Sequence, residues 1–262
     1  MSALEAACQT RGRVGFFTDT SICIGCKACE VACKEWNGVP ETLAQMTGHS
    51  YDNTGALGAD AWRHVAFVEQ SGPGGARWLM SSDVCKHCTE AACLEVCPTG
   101  SLFRTEFGTV VVQEDICNGC GYCVPACPFG VIDQRKGDGR VWKCTLCYDR
   151  LRGDLEPACS KACPTGSIEF GLLDELRGRA TERLGELAER GVEGARLYGH
   201  DAGDGVGGAG AFFLLLDEPE VYGLPPAPAT ATRRLGEMWT AAAGAAAVLA
   251  ALAAWAVRGG RS

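Results

Sequence analysis

Four groups of four cysteines constrain the fold of this 262-residue chain more than any other feature. The first and third groups share the spacing C-x2-C-x2-C-x3-C, and proline directly follows the last cysteine in every group except the first. The groups are Cys23, Cys26, Cys29 and Cys33; Cys85, Cys88, Cys93 and Cys97; Cys117, Cys120, Cys123 and Cys127; and Cys144, Cys147, Cys159 and Cys163. The chain therefore repeats one metal-binding unit.

The spacing within a group is typical of [4Fe–4S] binding. Three thiolates from one tight loop can hold three corners of a cube, and the fourth cysteine, three residues further on, reaches a neighbouring cube. Small residues inside the loops, such as Gly25, Ala28, Gly119 and Gly121, let the backbone approach the sulfurs. The sequence predicts four [4Fe–4S] clusters held by these sixteen cysteines, whereas Cys8 is predicted to be an incidental thiol.

Three other interpretations of the cysteines stay open at this point. A disulfide framework has no physical reason to repeat this spacing. Structural zinc needs paired C-x2-C units but no third cysteine two residues further on. The third possibility is a protein with fewer than four clusters and some idle cysteines.

The charge of the chain limits its partners. With 24 basic and 32 acidic residues the formal net charge is −8, which argues against nucleic acid as a partner. Four oxidised clusters would add about −8 more. Five lysines near the cysteines either raise the reduction potentials or are solvated surface residues: Lys27, Lys34, Lys86, Lys143 and Lys161.

Two segments bear on location. Residues 1–17 contain no apolar run of signal-peptide length, so we expect no secretory signal. Residues 238–257 carry no charge, and 20 helical residues span roughly 30 Å, the thickness of a bilayer core. Trp239 and Trp255 stand near the ends of this segment. A membrane span is predicted there, and a buried alanine-rich core helix is the alternative.

Hydrophobic patterning predicts further elements around the cysteine groups. Strands are predicted at 62–69, 77–80, 107–113 and 212–216, with a turn at 71–75. An amphipathic helix is predicted at 170–190 and a glycine-rich loop at 201–210. Prolines at 225, 226 and 228 predict a stiff lead into the membrane segment.

No catalytic constellation is recognisable in the sequence. The four histidines, His49, His64, His87 and His200, are scattered, and His87 between Cys85 and Cys88 is expected to be hydrogen-bonded. Motifs for nicotinamide, flavin or phosphate binding are not found. We therefore expect electron transfer without a catalytic site.

Several stretches resemble a known family. CIGCKACEVACKEWN (23–37), NGCGYCVPACPF (118–129), VWKCTLCYDR (141–150) and EPACSKACPTGSIEFG (156–171) are similar to the iron–sulfur beta subunit of membrane-bound respiratory formate dehydrogenase. This family is one of the four-cluster subunits of molybdenum or tungsten oxidoreductases. Shorter matches are SYDN at 50–53, GVGG at 205–208 and YGLP at 222–225.

The resemblance implies an α+β fold of two ferredoxin-like [4Fe–4S] dicluster modules with small sheet insertions and one C-terminal transmembrane helix. It divides the chain into a tail (1–13), an outer module (14–34 with 140–171), inserted strands and loops (35–84), an inner module (85–139), a helix and linker region (172–232) and an anchor (233–262). It also implies the sixteen iron ligands in four sets: Cys23, Cys26, Cys29 and Cys163; Cys144, Cys147, Cys159 and Cys33; Cys85, Cys88, Cys93 and Cys127; and Cys117, Cys120, Cys123 and Cys97. Some relatives have tryptophan in the third cysteine group, but Cys120 is present here.

The partners and location implied by the resemblance are a molybdopterin-containing catalytic alpha subunit, a cytochrome b gamma subunit and the inner membrane. The cluster domain would face the periplasm, carried across with a partner that bears the export signal. A related molybdopterin oxidoreductase or a membrane hydrogenase is the alternative complex. A zinc-binding membrane scaffold is the alternative of a different class.

Overall fold

A computed structural model describes residues 2–41, 48, 51–72 and 75–259. The helices are α1 (Ala3–Arg11), α2 (Ala28–Asn37), α3 (Ala92–Glu95), α4 (Cys123–Ala126), α5 (Tyr148–Arg152), α6 (Ala158–Lys161), α7 (Leu173–Glu189) and α8 (Leu235–Gly259). The strands are β1 (Val14–Asp19), β2 (Arg63–Gly72), β3 (Gly75–Val84), β4 (Leu102–Arg104), β5 (Val110–Val112), β6 (Asp133–Gln134), β7 (Val141–Trp142), β8 (Ile168–Leu172), β9 (Arg196–Tyr198) and β10 (Ala211–Leu215). His49 of the predicted histidines lies outside the described residues.

A four-stranded sheet in the order β8-β1-β10-β9 joins distant parts of the chain. Strand β1 pairs antiparallel with β8 and parallel with β10, and every residue of β1 and β10 is buried. A strand buried on both faces reads as a continuous apolar run, as the phenylalanines and leucines of β10 do. The predicted strand at 212–216 is confirmed, shifted by one residue. The pairing of β1 with β8 brings the first and the last cysteine groups together.

The insertion after the first cysteine group forms a long hairpin. Strands β2 and β3 pair antiparallel from Arg63–Val84 to Gly72–Gly75. Both predicted strands are confirmed and are longer than predicted. Pro73 and Gly74 of the predicted turn lie outside the described residues.

Two predicted elements differ from the structure. Helix α7 begins at Leu173, because Phe170–Leu172 of the predicted helix instead continue strand β8 beside β1. The strand predicted at 107–113 is limited to β5, because Gly108 has a φ of +75° and closes a turn with Thr105. Helix α7 buries Leu173, Leu176, Ala180 and Leu187 against the sheet, so its apolar stripe is packed as its spacing indicates.

The two ends of the chain are helical. Residues 3–11 of the predicted tail form α1, whose N-terminus is capped by Ser2 and by the Asp154 carboxylate, which accepts hydrogen bonds from the N–H groups of Ala3 and Leu4. Cys8 on this helix is buried in the core. At the other end, residues Leu235–Ala256 of α8 form one candidate membrane span, in which no residue is buried by the rest of the protein. The alternative of a buried core helix is therefore wrong.

Candidate iron–sulfur centres

Four helices deliver the cysteines in a repeated way. The last two cysteines of each group stand four residues apart. On α2 both lie on one face about 6 Å apart along the axis, whereas the single-turn helices α3, α4 and α6 carry the first of the two and end before the second. The pairs are Cys29 and Cys33 on α2, Cys93 and Cys97 on and after α3, Cys123 and Cys127 on and after α4, and Cys159 and Cys163 on and after α6. Helix α2 packs against α6, and α3 packs against α4. Each packed pair of helices thus brings cysteines of two different groups near one another.

Helices α2 and α6, with the loops before them, contribute to two sets of cysteines. Cys23, Cys26, Cys29 and Cys163, called set A here, line one small cavity. The second set, set B, contains Cys33, Cys144, Cys147 and Cys159. Burial raises the pKa of the Cys33 thiol, and the nearby Cys159 and Cys147 raise it further. The Asn37 side-chain amide lies 3.8 Å from the Cys33 sulfur and 3.7 Å from the Cys147 sulfur.

Helices α3 and α4, with the loops before them, contribute to the other two sets. Cys85, Cys88, Cys93 and Cys127, called set C, line another small cavity. Set D contains Cys97, Cys117, Cys120 and Cys123. Burial raises the pKa of the Cys123 thiol to about 11, and its cysteine neighbours in set D raise it too. Sets A and C each line one cavity, and the members of sets B and D are electrostatic neighbours of one another. That each set binds one cluster stays a prediction.

The loop that precedes each helix has a repeated backbone conformation. The residue before the second cysteine of every group has a left-handed φ: Gly25 (+65°), His87 (+43°), Gly119 (+72°) and Leu146 (+57°). This conformation turns the N–H of that residue toward the first cysteine in two of the loops. The Leu146 N–H donates to the Cys144 sulfur at 3.3 Å, and the Gly25 N–H donates to the Cys23 sulfur. Glycine adopts this conformation freely, whereas histidine and leucine are strained in it by about 1–2 kcal/mol.

The donor chemistry of the sets fits iron–sulfur clusters. Each set offers four thiols, the ligands that hold [4Fe–4S] centres. Burial, with neighbouring thiols, raises the pKa of Cys93 to about 12 and that of Cys88 further. Such thiols are protonated at neutral pH, so a bound cationic metal must displace their protons before the thiolates are stable.

Two of the five lysines are buried beside these sets. Lys86 and Lys143 are each 1 % exposed, so the interpretation as solvated surface residues is wrong for both. Lys86 pairs with Asp83 and lies 5.0 Å from the centre of the Phe213 ring. Lys143 donates to the backbone carbonyls of Val110 and Cys144. The other three lysines lie nearer the surface: Lys27 pairs with Glu30 and Asp52, Lys34 donates to two carbonyls, and Lys161 is exposed.

His87 is hydrogen-bonded, as the sequence predicts. Its side chain is 1 % exposed, and Nδ1 accepts a hydrogen bond from the Val110 N–H at 3.1 Å. Burial lowers the pKa of His87 well below its ordinary value, and the charges of Lys143, Arg13 and Arg104 lower it further. The ring is therefore neutral between set C and the sheet.

Arg63 is the residue that sequence reasoning missed. It is 2 % exposed, and burial alone would lower its pKa, but the sulfurs of Cys159, Cys29, Cys144 and Cys33 raise it overall. A signal for this site was present in the strand predicted at 62–69. Alternation along a strand places Arg63 on the same face as Val65, and a charged residue beside a buried apolar one requires a partner.

Comparison with known proteins agrees with this architecture. Two family models, each described as a 4Fe-4S dicluster domain, match residues 22–101 and 76–173. The chain is 42% identical over 222 residues to the iron–sulfur subunit of the nitrate-inducible formate dehydrogenase of Escherichia coli, covering 83% of this chain and 74% of the relative. The formate dehydrogenase iron–sulfur subunit of Haemophilus influenzae is 42% identical over 234 residues, covering 87% and 74%. The B subunit of the anaerobic dimethyl sulfoxide reductase of E. coli is 37% identical over 179 residues, covering 66% and 78%.

The fold and these matches define a ferredoxin-type iron–sulfur protein with two 4Fe-4S dicluster domains, mixed helices and sheets, and one helix that could span a membrane. Proteins of this class transfer electrons. The chain belongs to the family of formate dehydrogenase iron–sulfur subunits. The family settles the chemistry of the cysteines in favour of [4Fe–4S] clusters over the disulfide and zinc interpretations.

Proposed function

We propose that this chain conducts electrons through four [4Fe–4S] clusters, one in each of sets A to D, within a membrane-bound formate dehydrogenase complex. The catalytic partner would be a molybdopterin-containing alpha subunit, and the acceptor a cytochrome b gamma subunit that reduces quinone. The observation that supports the proposal is the four-fold cysteine repeat, together with the small cavities that the cysteines of sets A and C line. When bound, the clusters supply one-electron transfer.

The electrostatic neighbours of three cysteines support a linear order of the sets. Cys29 of set A lies near Cys159 of set B, and Cys144 of set B lies near Cys85 of set C. Cys93 of set C lies near Cys123 of set D. The order along the protein would therefore be A, B, C and D, with A and D at the two ends.

The anchor supports the direction of this order. The segment before α8 packs against α3, where Thr232 donates to the Glu95 carboxylate and Thr230 donates to the Glu90 carbonyl. Helix α3 carries Cys93 of set C, and Cys97 of set D follows it. Set D would therefore lie on the membrane side and set A on the side of the catalytic subunit.

Both ends present apolar surface beside an exposed cysteine. Ile24 and Val31, each 59% exposed, lie near Cys26, and Tyr122, 63% exposed, lies near Cys120. Single exposed apolar side chains are ordinary on a protein surface, whereas contiguous apolar patches mark protein interfaces. We propose that these three side chains contact the two partner subunits, and that the cluster domain lies on the periplasmic side of the inner membrane, as the resemblance implies.

The chain's own residues would hold the clusters and exclude water. Sixteen thiolates would bind iron, and backbone N–H groups such as those of Gly25 and Leu146 would stabilise the negative sulfurs. Cys144 of set B and Cys85 of set C are buried, which shields these two sets from solvent. A related complex with another substrate remains the alternative, favoured by the similarity to the dimethyl sulfoxide reductase subunit.

The assignment of Cys33 to set B gives a direct test of the proposed sets. Cys33 belongs to the first cysteine group in sequence but lies with set B. A Cys33→Ala variant should therefore perturb the electron paramagnetic resonance (EPR) signal that Cys147→Ala perturbs, and leave the signal that Cys26→Ala perturbs unchanged. The full chain would be prepared anaerobically. A Cys33→Ala spectrum that matches Cys26→Ala would contradict the proposed sets.

A further inference from the structure

The guanidinium of Arg63 has unused hydrogen-bond donors in the interior of the protein. Its Nη1 donates to the Ser82 hydroxyl at 2.9 Å and to the Ser82 carbonyl at 3.3 Å. The buried Nε and Nη2 atoms have no hydrogen-bond partner among the described residues. The group lies 5.0 Å from the centre of the Phe16 ring, which contributes no acceptor of comparable strength. Buried donors without partners are rare and costly, so they indicate an acceptor that occupies this space in the loaded protein.

The charge of Arg63 also lacks a carboxylate. None of the ion pairs found between described residues includes Arg63. The groups that stabilise its charge are sulfurs, of Cys29 from set A and of Cys159, Cys144 and Cys33 from set B. The Ser82 hydroxyl links Arg63 to Cys29, because its oxygen lies 3.2 Å from the Cys29 sulfur and accepts a hydrogen bond from Arg63. An unpaired buried cation is strongly unfavourable, so the negative charge must come from what these cysteines bind.

The two buried lysines have other partners or other neighbours. Lys86 pairs with the Asp83 carboxylate, whereas Lys143 donates to two backbone carbonyls and lies beside the sulfurs of Cys85 and Cys93, which belong to set C. Of these three buried cations, Arg63 is the one that lies beside the sulfurs of both set A and set B.

We propose that Arg63 is the shared counter-cation of sets A and B, and that it makes the clusters of both sets easier to reduce than they would be without it. This inference rests on the proposed function, because it requires clusters in both sets. A fixed positive charge in a medium of low dielectric stabilises the added electron on either neighbour. Hydrogen bonds to cluster sulfurs shift reduction potentials in the same direction. Arg63 acts as a positioning residue for charge and binds no iron itself.

The experiment compares reduction potentials of the full chain and its variants. Wild type, Arg63→Gln and Arg63→Lys would be prepared anaerobically and titrated with dithionite while EPR spectra are recorded. In Arg63→Gln, the midpoint potentials of two clusters should shift to more negative values, and those of the other two should stay unchanged. Arg63→Lys keeps the charge and should stay closer to wild type. Arg183→Gln is the matched control, because Arg183 pairs with Asp19 and Glu186 rather than with sulfur.

The outcomes separate this inference from the proposed function. A wild-type chain without iron or without EPR signals would contradict the proposed function itself. A wild type with four clusters, together with an Arg63→Gln variant of unchanged potentials, would overturn only the role of Arg63. If Arg63→Gln loses iron but Arg63→Lys keeps it, the result supports a role for the positive charge of Arg63. Equal loss of iron in both variants overturns that role. A uniform shift of all four potentials would also overturn a role confined to sets A and B.

Discussion

At the scale of single residues, the four cysteine loops share one left-handed backbone position but place different side chains there. The left-handed position before the second cysteine is glycine in two loops, as the expectation of small residues near the sulfurs predicts. The same position is His87 and Leu146 in the other two, and nothing in their side chains indicates a left-handed backbone. The spacing of the cysteines predicts that a loop wraps the metal. The conformation within the loop depends on hydrogen bonds to sulfur that the sequence does not display.

Gly119 provides a test of this loop geometry. Its φ is +72°, and a Cβ added there would stand 2.5 Å from the Gly139 carbonyl oxygen, a backbone atom that cannot move aside easily. Gly119→Ala should therefore lose the cluster of set D, about one quarter of the iron, as measured by iron analysis and EPR. Gly38→Ala is the control, because Gly38 has a φ of +56° but open space around it.

The Gly38→Ala control separates the effect of backbone strain from that of the steric clash with the Gly139 carbonyl oxygen. Gly38→Ala should cost only about 1 kcal/mol of unfolding free energy and keep all its iron. A Gly119→Ala variant with full iron content and an unchanged spectrum would show that this loop tolerates a side chain, contrary to the account.

At the scale of elements, the sequence predicts what each segment does more reliably than where it ends. Alternation in 62–69 predicts strand β2, and leucine spacing predicts α7. The start of α7 is placed three residues too early because Phe170, Gly171 and Leu172 are apolar or small and suit either element. These three residues form a strand because they pair with β1, which lies about 150 residues earlier in the chain. Local patterns carry no information about such a contact.

Helix α8 gives the second test. Val248 is 60% exposed near the middle of the candidate span. An arginine there costs roughly 2.5–3.5 kcal/mol for insertion into a bilayer. Because the span is mostly alanine and inserts only marginally, Val248→Arg should move the chain from the carbonate-resistant membrane fraction to the soluble fraction.

A charge added elsewhere should have no such effect. Ala188→Arg on the exposed face of α7 is the matched control and should fractionate as the wild-type chain does. Retention of Val248→Arg in the membrane fraction, with the protein expressed without partners, would argue against a span by α8.

At the scale of the whole molecule, the cysteine repeat predicts the number and kind of the sites, and the resemblance implies how the groups are shared. The order of the sets along the protein is not available from spacing. It depends on tertiary packing that brings Cys144, which follows β7, near Cys85, which follows β3. The sequence also does not show that Arg63 lies between sets A and B, because that placement depends on how the β2–β3 hairpin packs on α2.

The iron content of the anaerobically prepared full chain, combined with EPR after dithionite reduction, tests the central claim most directly. Four cubane clusters predict about sixteen iron atoms and as many sulfides per chain, and a reduced spectrum broadened by coupling between neighbouring clusters. A folded chain that binds about four zinc ions, or that holds only two clusters with eight cysteines alkylated as free thiols, would contradict the account.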